Sequence, residues 1–178
     1  MEEKVRSTTV QGLYYGLITG IGLILLSLIL YIAGLYMNKW LSSISYLILI
    51  GGVVYGTVDY RKNYLNGYMT YGKAFTLCFL IGLFAGLLAA IYTFLFAQFI
   101  HPGFVGEILE QSRQQMVTTS PNMSEEQIES ALAMTAKFTS PVMMMVFGAI
   151  TYAVLSAVLG LVAAIFLKKE DPSLTSSM

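Results

Sequence analysis

The chain has 178 residues, of which 56% are hydrophobic and only 11% are charged, and its formal net charge is zero. Ordinary globular domains carry about 25% charged residues, so this composition excludes an ordinary soluble domain. The zero net charge gives no general reason to expect nucleic acid as a partner. The single cysteine, Cys78, excludes an intrachain disulfide.

Four apolar runs contain no Asp, Glu, Lys, Arg or His. Each has about 18 to 27 residues, and a helix of about 20 residues crosses the hydrocarbon core of a bilayer. We therefore predict an all-α integral membrane protein whose four transmembrane helices form an antiparallel bundle, in a single membrane domain over residues 1–178. The predicted spans are Gly12–Met37, Leu41–Val58, Ala74–Ile100 and Val142–Leu167.

The first run is too long for the apolar region of a signal peptide, which has about 7–15 residues, so we expect it to be retained as a span. The connection around Lys39 is very short, which predicts a tight hairpin of spans one and two. Tyr36 and Trp40 lie at this end, where amphipathic rings favour the membrane–water boundary.

The stretch DYRKNYLNGYMTYGKAF, residues 59–75, separates the second and third runs. We interpret it as a cytoplasmic loop in which Asp59 pairs with Lys62 if the helix continues, while basic side chains reach lipid phosphates. The alternative is a surface that binds a partner. The candidate interaction or topology residues of this stretch are Asp59, Tyr60, Arg61, Lys62 and Lys73.

Two further candidates lie at the end of the third run. Gln98 is expected to make an interhelical hydrogen bond, with a functional role as the alternative. His101 precedes Pro102 and closes the span, and its alternative role is that of a pH-sensitive group.

Residues 103–139 predict an amphipathic helical hairpin outside the cytoplasm. Apolar residues recur at helical spacing in both halves, and Ser124 followed by Gln127 is a capping box at the start of the second helix. Pro141 is typical of the first turn of the fourth span. The hairpin is expected to cover its apolar faces by packing on itself, on the bundle or on lipid.

The distribution of positive charge predicts the orientation. Lys and Arg are enriched on the cytoplasmic side of membrane proteins, and here seven of them fall on one side and three on the other. Both termini are then cytoplasmic, and residues 101–140 lie outside. The majority group is Lys4, Arg6, Arg61, Lys62, Lys73, Lys168 and Lys169, and the minority group is Lys39, Arg113 and Lys137.

Small residues recur every four positions on each run, a pattern that allows helices in membranes to approach closely. We interpret these stripes as the seal of one bundle, with self-association or docking to another membrane protein as the alternatives. The stripes are Gly12, Gly16 and Gly20; Gly52 and Gly56; Gly82, Gly86 and Ala90; and Gly148, Tyr152, Ser156, Gly160 and Ala164.

The sequence offers no recognisable catalytic, metal-binding or phosphate-binding motif. Proton and ion pathways use ionisable residues inside the membrane, and the predicted spans contain none. We therefore expect no enzymatic activity, no cofactor, no metal and no identifiable small-molecule substrate. Hydroxyl residues of the spans, such as Thr19, Thr76 and Ser156, are interpreted mainly as packing residues bonded to their own helix.

Several segments together resemble a known family. The loop at 59–75, the segments AGLLAAIYTFLF and IHP, the helix MSEEQIESALAMTAKFTSP and the C-terminal FLKKEDP resemble the family catalogued as domain of unknown function 4199. The resemblance implies a four-span protein of the bacterial inner membrane and supplies no activity. The family commonly has Asn-Tyr/Phe-Arg where this chain has Asp59, Tyr60 and Arg61.

From these observations we predict a non-enzymatic inner-membrane component whose partners are the lipid bilayer and either further copies of itself or other membrane proteins. The first alternative is a small channel or facilitator formed by oligomerisation. The second is a sensor of lipid or envelope state acting through the outer hairpin.

Overall fold

The long apolar runs form helices in the part of the chain that the structure, a computed structural model, describes, which is residues 7–169 without the side chain of Lys39. Four of these helices are long and apolar enough to cross a membrane, and they indicate a multi-pass membrane protein. Two members of the predicted cytoplasmic charge group, Lys4 and Arg6, lie outside the described residues.

Helix boundaries follow backbone signals more closely than hydropathy. α1 ends at Ile32, before the predicted Met37, and Gly34 just beyond it has a φ of 69°, as is usual after a helix C-terminus. α3 continues past the predicted Val58 to Tyr64, because polar residues beyond the apolar run can remain helical outside the lipid. The helices are α1 (Thr8–Ile32), α2 (Lys39–Ser42), α3 (Ile44–Tyr64), α4 (Tyr71–Leu95), α5 (Phe104–Thr119), α6 (Glu125–Phe138) and α7 (Pro141–Leu167), and a π-helical segment, Phe96–Ile100, continues α4.

The chain divides into two compact units. The first contains the described residues up to Ala89 and those from Ala149 onward, and the second is Ala90–Gly148. Within the first, α1 lies directly on α4 through one of the predicted glycine stripes. A Cβ atom at Gly16 would lie 2.6 Å from the Cβ of Phe84 and 2.9 Å from the carbonyl oxygen of Ile81. Only glycine allows the two backbones to come this close.

The other glycine stripes of the first unit also face neighbouring helices of the same chain. A Cβ at Gly56 of α3 would lie 2.7 Å from the Cγ of Tyr15 on α1. A Cβ at Gly82 of α4 would overlap the Oγ of Ser156 on α7. α4 also meets α3, where the Thr57 hydroxyl and the Cys78 sulfur are 3.3 Å apart. α4 therefore contacts each of the other three long helices.

In the second unit α5 and α6 pack against each other. Arg113 of α5 forms an ion pair with Glu125 of α6, with 3.2 Å between nitrogen and oxygen. The predicted capping box is present, because the Ser124 side chain accepts from the Gln127 backbone while the Gln127 side chain accepts from the Ser124 backbone. Ile128, on the apolar face of α6, is 9% exposed.

Candidate functional site at the end of α3

Asp59 lies in the second-last turn of α3 and accepts hydrogen bonds from two polar side chains. The Tyr15 hydroxyl of α1 donates a hydrogen bond to one carboxylate oxygen. The Asn63 amide donates to the other oxygen at 2.9 Å. The helix continues through Lys62 as the pairing hypothesis required, yet the described residues show no ion pair between Asp59 and Lys62. The carboxylate therefore links α1 to α3.

Tyr60 faces the interior at this end of the helix. Its side chain is 1% exposed, and its ring stacks on Tyr64 with a centroid distance of 5.6 Å. A tyrosine at the membrane boundary often anchors the interface, where one end of the ring stays in contact with water. Burial instead makes Tyr60 part of the packed core of the first unit.

Arg61 caps the end of α7. Its Nη1 donates to the carbonyl oxygen of Leu167 at 2.8 Å. The last carbonyls of a helix lack partners within the helix and carry partial negative charge, so a guanidinium is favoured there. The Nε of Arg61 is buried and has no hydrogen-bond partner among the described residues. Arg61 thus binds the end of α7 to the end of α3.

The turn that follows α3 is also attached to the end of α7. Asn66 and Gly67 have positive φ angles of 51° and 85°, and the Gly67 N–H donates to the Arg61 carbonyl at 2.9 Å, which closes the helix end. Met69 and Lys169 then exchange two backbone hydrogen bonds of 2.7 and 2.8 Å. The Lys169 ammonium lies 5.5 Å from the centre of the Tyr68 ring.

Because of these contacts, basic side chains from three helix ends gather at one end of the first unit. We call this group the basic rim. Arg61 is half-buried, and the other four members are exposed. Exposed ammonium groups on flexible stems at a membrane boundary are suited to lipid phosphates or acidic protein surfaces. The basic rim consists of Arg61, Lys62, Lys73, Lys168 and Lys169.

Two functional-looking groups near the site were missed from the sequence. Tyr15 is 7% exposed, and Gln11, one turn earlier on the same buried face of α1, is 1% exposed. The Nε2 of Gln11 has no hydrogen-bond partner among the described residues. The sequence did indicate that both residues are buried, because they lie on the same helix face as the glycine stripe at Gly12 and Gly16.

The remaining two candidates, Gln98 and His101, belong to the second unit. Gln98 is exposed within the π-helical segment, a type of segment often found at functional positions. The His101 Nε2 lies 3.0 Å from a carboxylate oxygen of Glu107 at the start of α5. His101 also contacts the Phe96 and Phe104 rings, so it anchors the turn into α5.

The polar side chains described at this site connect helices to one another. In the described part of the chain, no three His, Cys, Asp or Glu side chains come together in a way that could hold a metal ion. Two polar side chains of the cluster join α3 to other helices: Asp59 to α1, and Arg61 to the end of α7. The outward-facing part of the site is the basic rim.

Comparison with known proteins identifies a family. A family model described as a protein of unknown function (DUF4199) matches residues 14–169, which is most of the chain. The match confirms the family resemblance seen in the loop and helix segments. Neither the curated proteins nor the solved structures contain a significant match.

Proposed function

The chain belongs to the DUF4199 family of proteins of unknown function, so we propose its function from the geometry of the structure. The protein is a non-enzymatic membrane component that assembles with copies of itself or with other membrane proteins. Its proposed location is the bacterial inner membrane, with both termini in the cytoplasm and the α5–α6 hairpin outside.

The exposed surface of α7 carries this proposal. α7 has 27 residues, yet only 17% of its apolar 18-residue stretch is buried inside the chain, compared with 50% for the stretch in Tyr71–Ile100, which is α4 with its π-helical continuation. Its outward face is a continuous row of branched side chains at helical spacing, each more than half exposed. Such a face contributes packing energy only when lipid or another helix covers it. The row includes Ile150, Val154, Val158, Val162 and Ile165.

The glycine stripes of the first unit favour α7 over α1 as the contact surface. Gly12, Gly16 and Gly20 of α1 already face α4, so this stripe has no room for a second partner. Small residues of α7 at Ser156 and Gly160 likewise face inward. The opposite face of α7 is therefore the surface available to another membrane helix.

The internal hydroxyl groups weigh against the channel alternative. Thr19, Thr57 and Ser156 each donate to the carbonyl oxygen four residues earlier, at 2.8, 2.8 and 2.5 Å. Hydroxyl groups bonded in this way are turned towards their own helix and offer little to a passing solute. To donate a hydrogen bond to a solute in a lumen, these hydroxyl groups would have to break those bonds.

The orientation rests on the basic rim. Contacts among the ends of α3, α4 and α7 gather Arg61, Lys62 and Lys73 with Lys168 and Lys169 at one end of the first unit. The positive-inside rule then favours this end as the cytoplasmic one. The anionic lipids of that leaflet add about 1 kcal/mol for each nearby Lys or Arg.

Cysteine cross-linking in native membranes tests the assembly. Val154→Cys and Val158→Cys, 59% and 53% exposed in the parent chain, place thiols on the α7 face. They are introduced with Cys78→Ala, and Ile21→Cys on α1, 52% exposed at the parent residue, is the matched control. Oxidation is expected to give dimers or adducts with one reproducible partner from the α7 sites and not from α1. Monomers from all sites, with a monomeric mass in lipid nanodiscs, would overturn the proposal.

A further inference from the structure

A pocket of about 160 Å³ lies in the first unit, at the opposite end of α3 from the basic rim. One wall of the pocket is formed by Ser42 of α2 together with Ser45 and Tyr46 at the start of α3. The other wall is formed by α7. At roughly 30 Å³ for each water molecule, the volume matches about five waters or one small headgroup. The α7 residues are Thr151, Tyr152 and Leu155.

Four of the lining residues carry hydroxyl groups that make no hydrogen bond within the described part of the chain: Ser45, Tyr46, Thr151 and Tyr152. Elsewhere in the spans, hydroxyls such as those of Thr76 and Ser156 bond to their own helix. Lipid on the open side of the pocket limits the access of water, and a polar group left without a partner there costs free energy. Four such groups around one pocket indicate that something else supplies their partners.

The charge of the pocket limits the ligand. Apart from the two tyrosine phenols, the described side chains that line it include no ionisable group. A charged headgroup would enter without a counter-charge from these residues, at a cost in desolvation. Hydroxyl groups both donate and accept hydrogen bonds, so they match alcohol and ester oxygens.

The surroundings of the pocket suit an amphiphile. Leu47 on α3 is 67% exposed, and Ile150 and Val154 on α7 are 53% and 59% exposed, so apolar surface flanks the pocket on both helices. Trp40 lies on α2, two residues before Ser42 of the pocket, and is 88% exposed, as is typical of a side chain at the membrane–water boundary. A molecule with a small polar head and acyl chains would place its head between the helices and its chains along them.

We propose that this pocket, the hydroxyl pocket, binds the uncharged, hydroxyl- and ester-bearing head of a lipid with the chemistry of a diacylglycerol. The proposal goes beyond assembly, because it assigns a ligand class to a site that lies beside the α7 row and away from the basic rim. Ser45 and Tyr46 on α3 and Thr151 and Tyr152 on α7 hold the head through hydrogen bonds.

Photolabelling of the full chain in phosphatidylcholine nanodiscs tests the pocket. The probe is a diacylglycerol with a photoactivatable diazirine in one acyl chain, present as a small fraction of the lipid. We expect labelling on α3 and α7 beside the pocket, with competition by unlabelled diacylglycerol and not by phosphatidic acid with the same acyl chains. Equal competition by phosphatidic acid, or labelling spread evenly over the spans, would overturn the proposal.

Variants of the hydroxyl groups make the test specific. Thr151→Val with Tyr152→Phe removes two hydroxyls and keeps the side-chain shapes, so the apparent affinity for the probe should fall about five- to tenfold. Thr76→Val, an exposed span threonine whose hydroxyl bonds to Gly72, is the control and should label like the parent chain. Ser45→Ala with Tyr46→Phe repeats the test from the other wall should the first pair fail to fold. Unchanged labelling in a folded double variant would refute the site.

Discussion

The Tyr15 hydroxyl of α1 donates a hydrogen bond to the Asp59 carboxylate of α3, across 44 positions of the chain. The same Tyr15 ring packs over Gly56, one turn before Asp59. The two contacts fix α1 and α3 at one register, because a shift of one turn would break both. Asp59, which belongs to the stretch at residues 59–75, therefore helps to hold α1 against α3.

Removing the Tyr15 hydroxyl should loosen this pair of helices. Tyr15→Phe keeps the ring over Gly56 and leaves one carboxylate oxygen of Asp59 without its donor. Hydrogen bonds to charged groups contribute about 1.5–3 kcal/mol, and we expect a loss of that order in the free energy of unfolding in detergent micelles. Tyr14→Phe, on an exposed neighbouring residue, is the control and should change little.

Asp59→Asn separates the role of charge from that of the hydrogen bond. The amide oxygen of Asn can still accept from Asn63 or Tyr15, and its NH₂ can donate to the Tyr15 oxygen. We expect a smaller loss of unfolding free energy than for Tyr15→Phe, because the amide can still bond to both neighbours. A loss as large as that of Tyr15→Phe would show that the negative charge itself is required.

The close approach of α1 and α4 predicts a sharp contrast between two glycines. Gly16→Ala adds a methyl group 2.6 Å from the Phe84 Cβ and 2.9 Å from the Ile81 carbonyl oxygen, so the helices must separate. Overpacking of this kind costs about 1–3 kcal/mol. Gly51→Ala, where no atom lies within 4 Å, should be neutral or stabilising by up to about 1 kcal/mol. Equal denaturation midpoints for the two variants would contradict the observed packing.

The apolar runs were predictable because the thickness of the bilayer dictates their length. The capping box at Ser124 was predictable too, because its two hydrogen bonds are local. The course of residues 59–64 was not, because hydropathy reports where the chain leaves lipid, while the helix ends only where Asn66 and Gly67 adopt positive φ. The partners of Asp59 and Arg61 lie on α1 and α7, and no local pattern specifies such tertiary contacts.

Arg61→Met should release the end of α7 while keeping an unbranched apolar side chain in place of the arginine's aliphatic stem. The Leu167 carbonyl then loses its guanidinium donor, and the adjoining backbone pair of Met69 and Lys169 loses support. We expect faster hydrogen–deuterium exchange at the amides of residues 67–69 and 166–169, with the centre of α7 unchanged. Lys62→Met, which removes an exposed charge from the same helix turn, should leave these rates unaltered.

Ser124→Ala should weaken the start of α6. The change removes the acceptor of the Gln127 amide in the capping box, and the loss of an N-cap of this kind costs about 1 kcal/mol. Amide exchange over residues 125–128 should accelerate roughly fivefold. Ser130→Ala, at an exposed position in the middle of the same helix, should slow exchange or leave it unchanged, because alanine is the better helix former.

The orientation predicted from the basic rim is open to a direct test. A reporter that is active only outside the cytoplasm should be active when fused after Glu125 and inactive when fused after Gly67. The reason is that the basic residues around Gly67 are retained on the cytoplasmic side. Replacing Arg61, Lys62 and Lys73 together by Gln should produce a mixed population, since Lys39, Arg113 and Lys137 then meet weaker competition. The matched variant changes Glu125, Glu126 and Glu129 to Gln and should keep one orientation, because acidic residues contribute little. A cytoplasmic reporter after Glu125 in the parent chain would reverse the assignment and place the hydroxyl pocket towards the cytoplasmic leaflet.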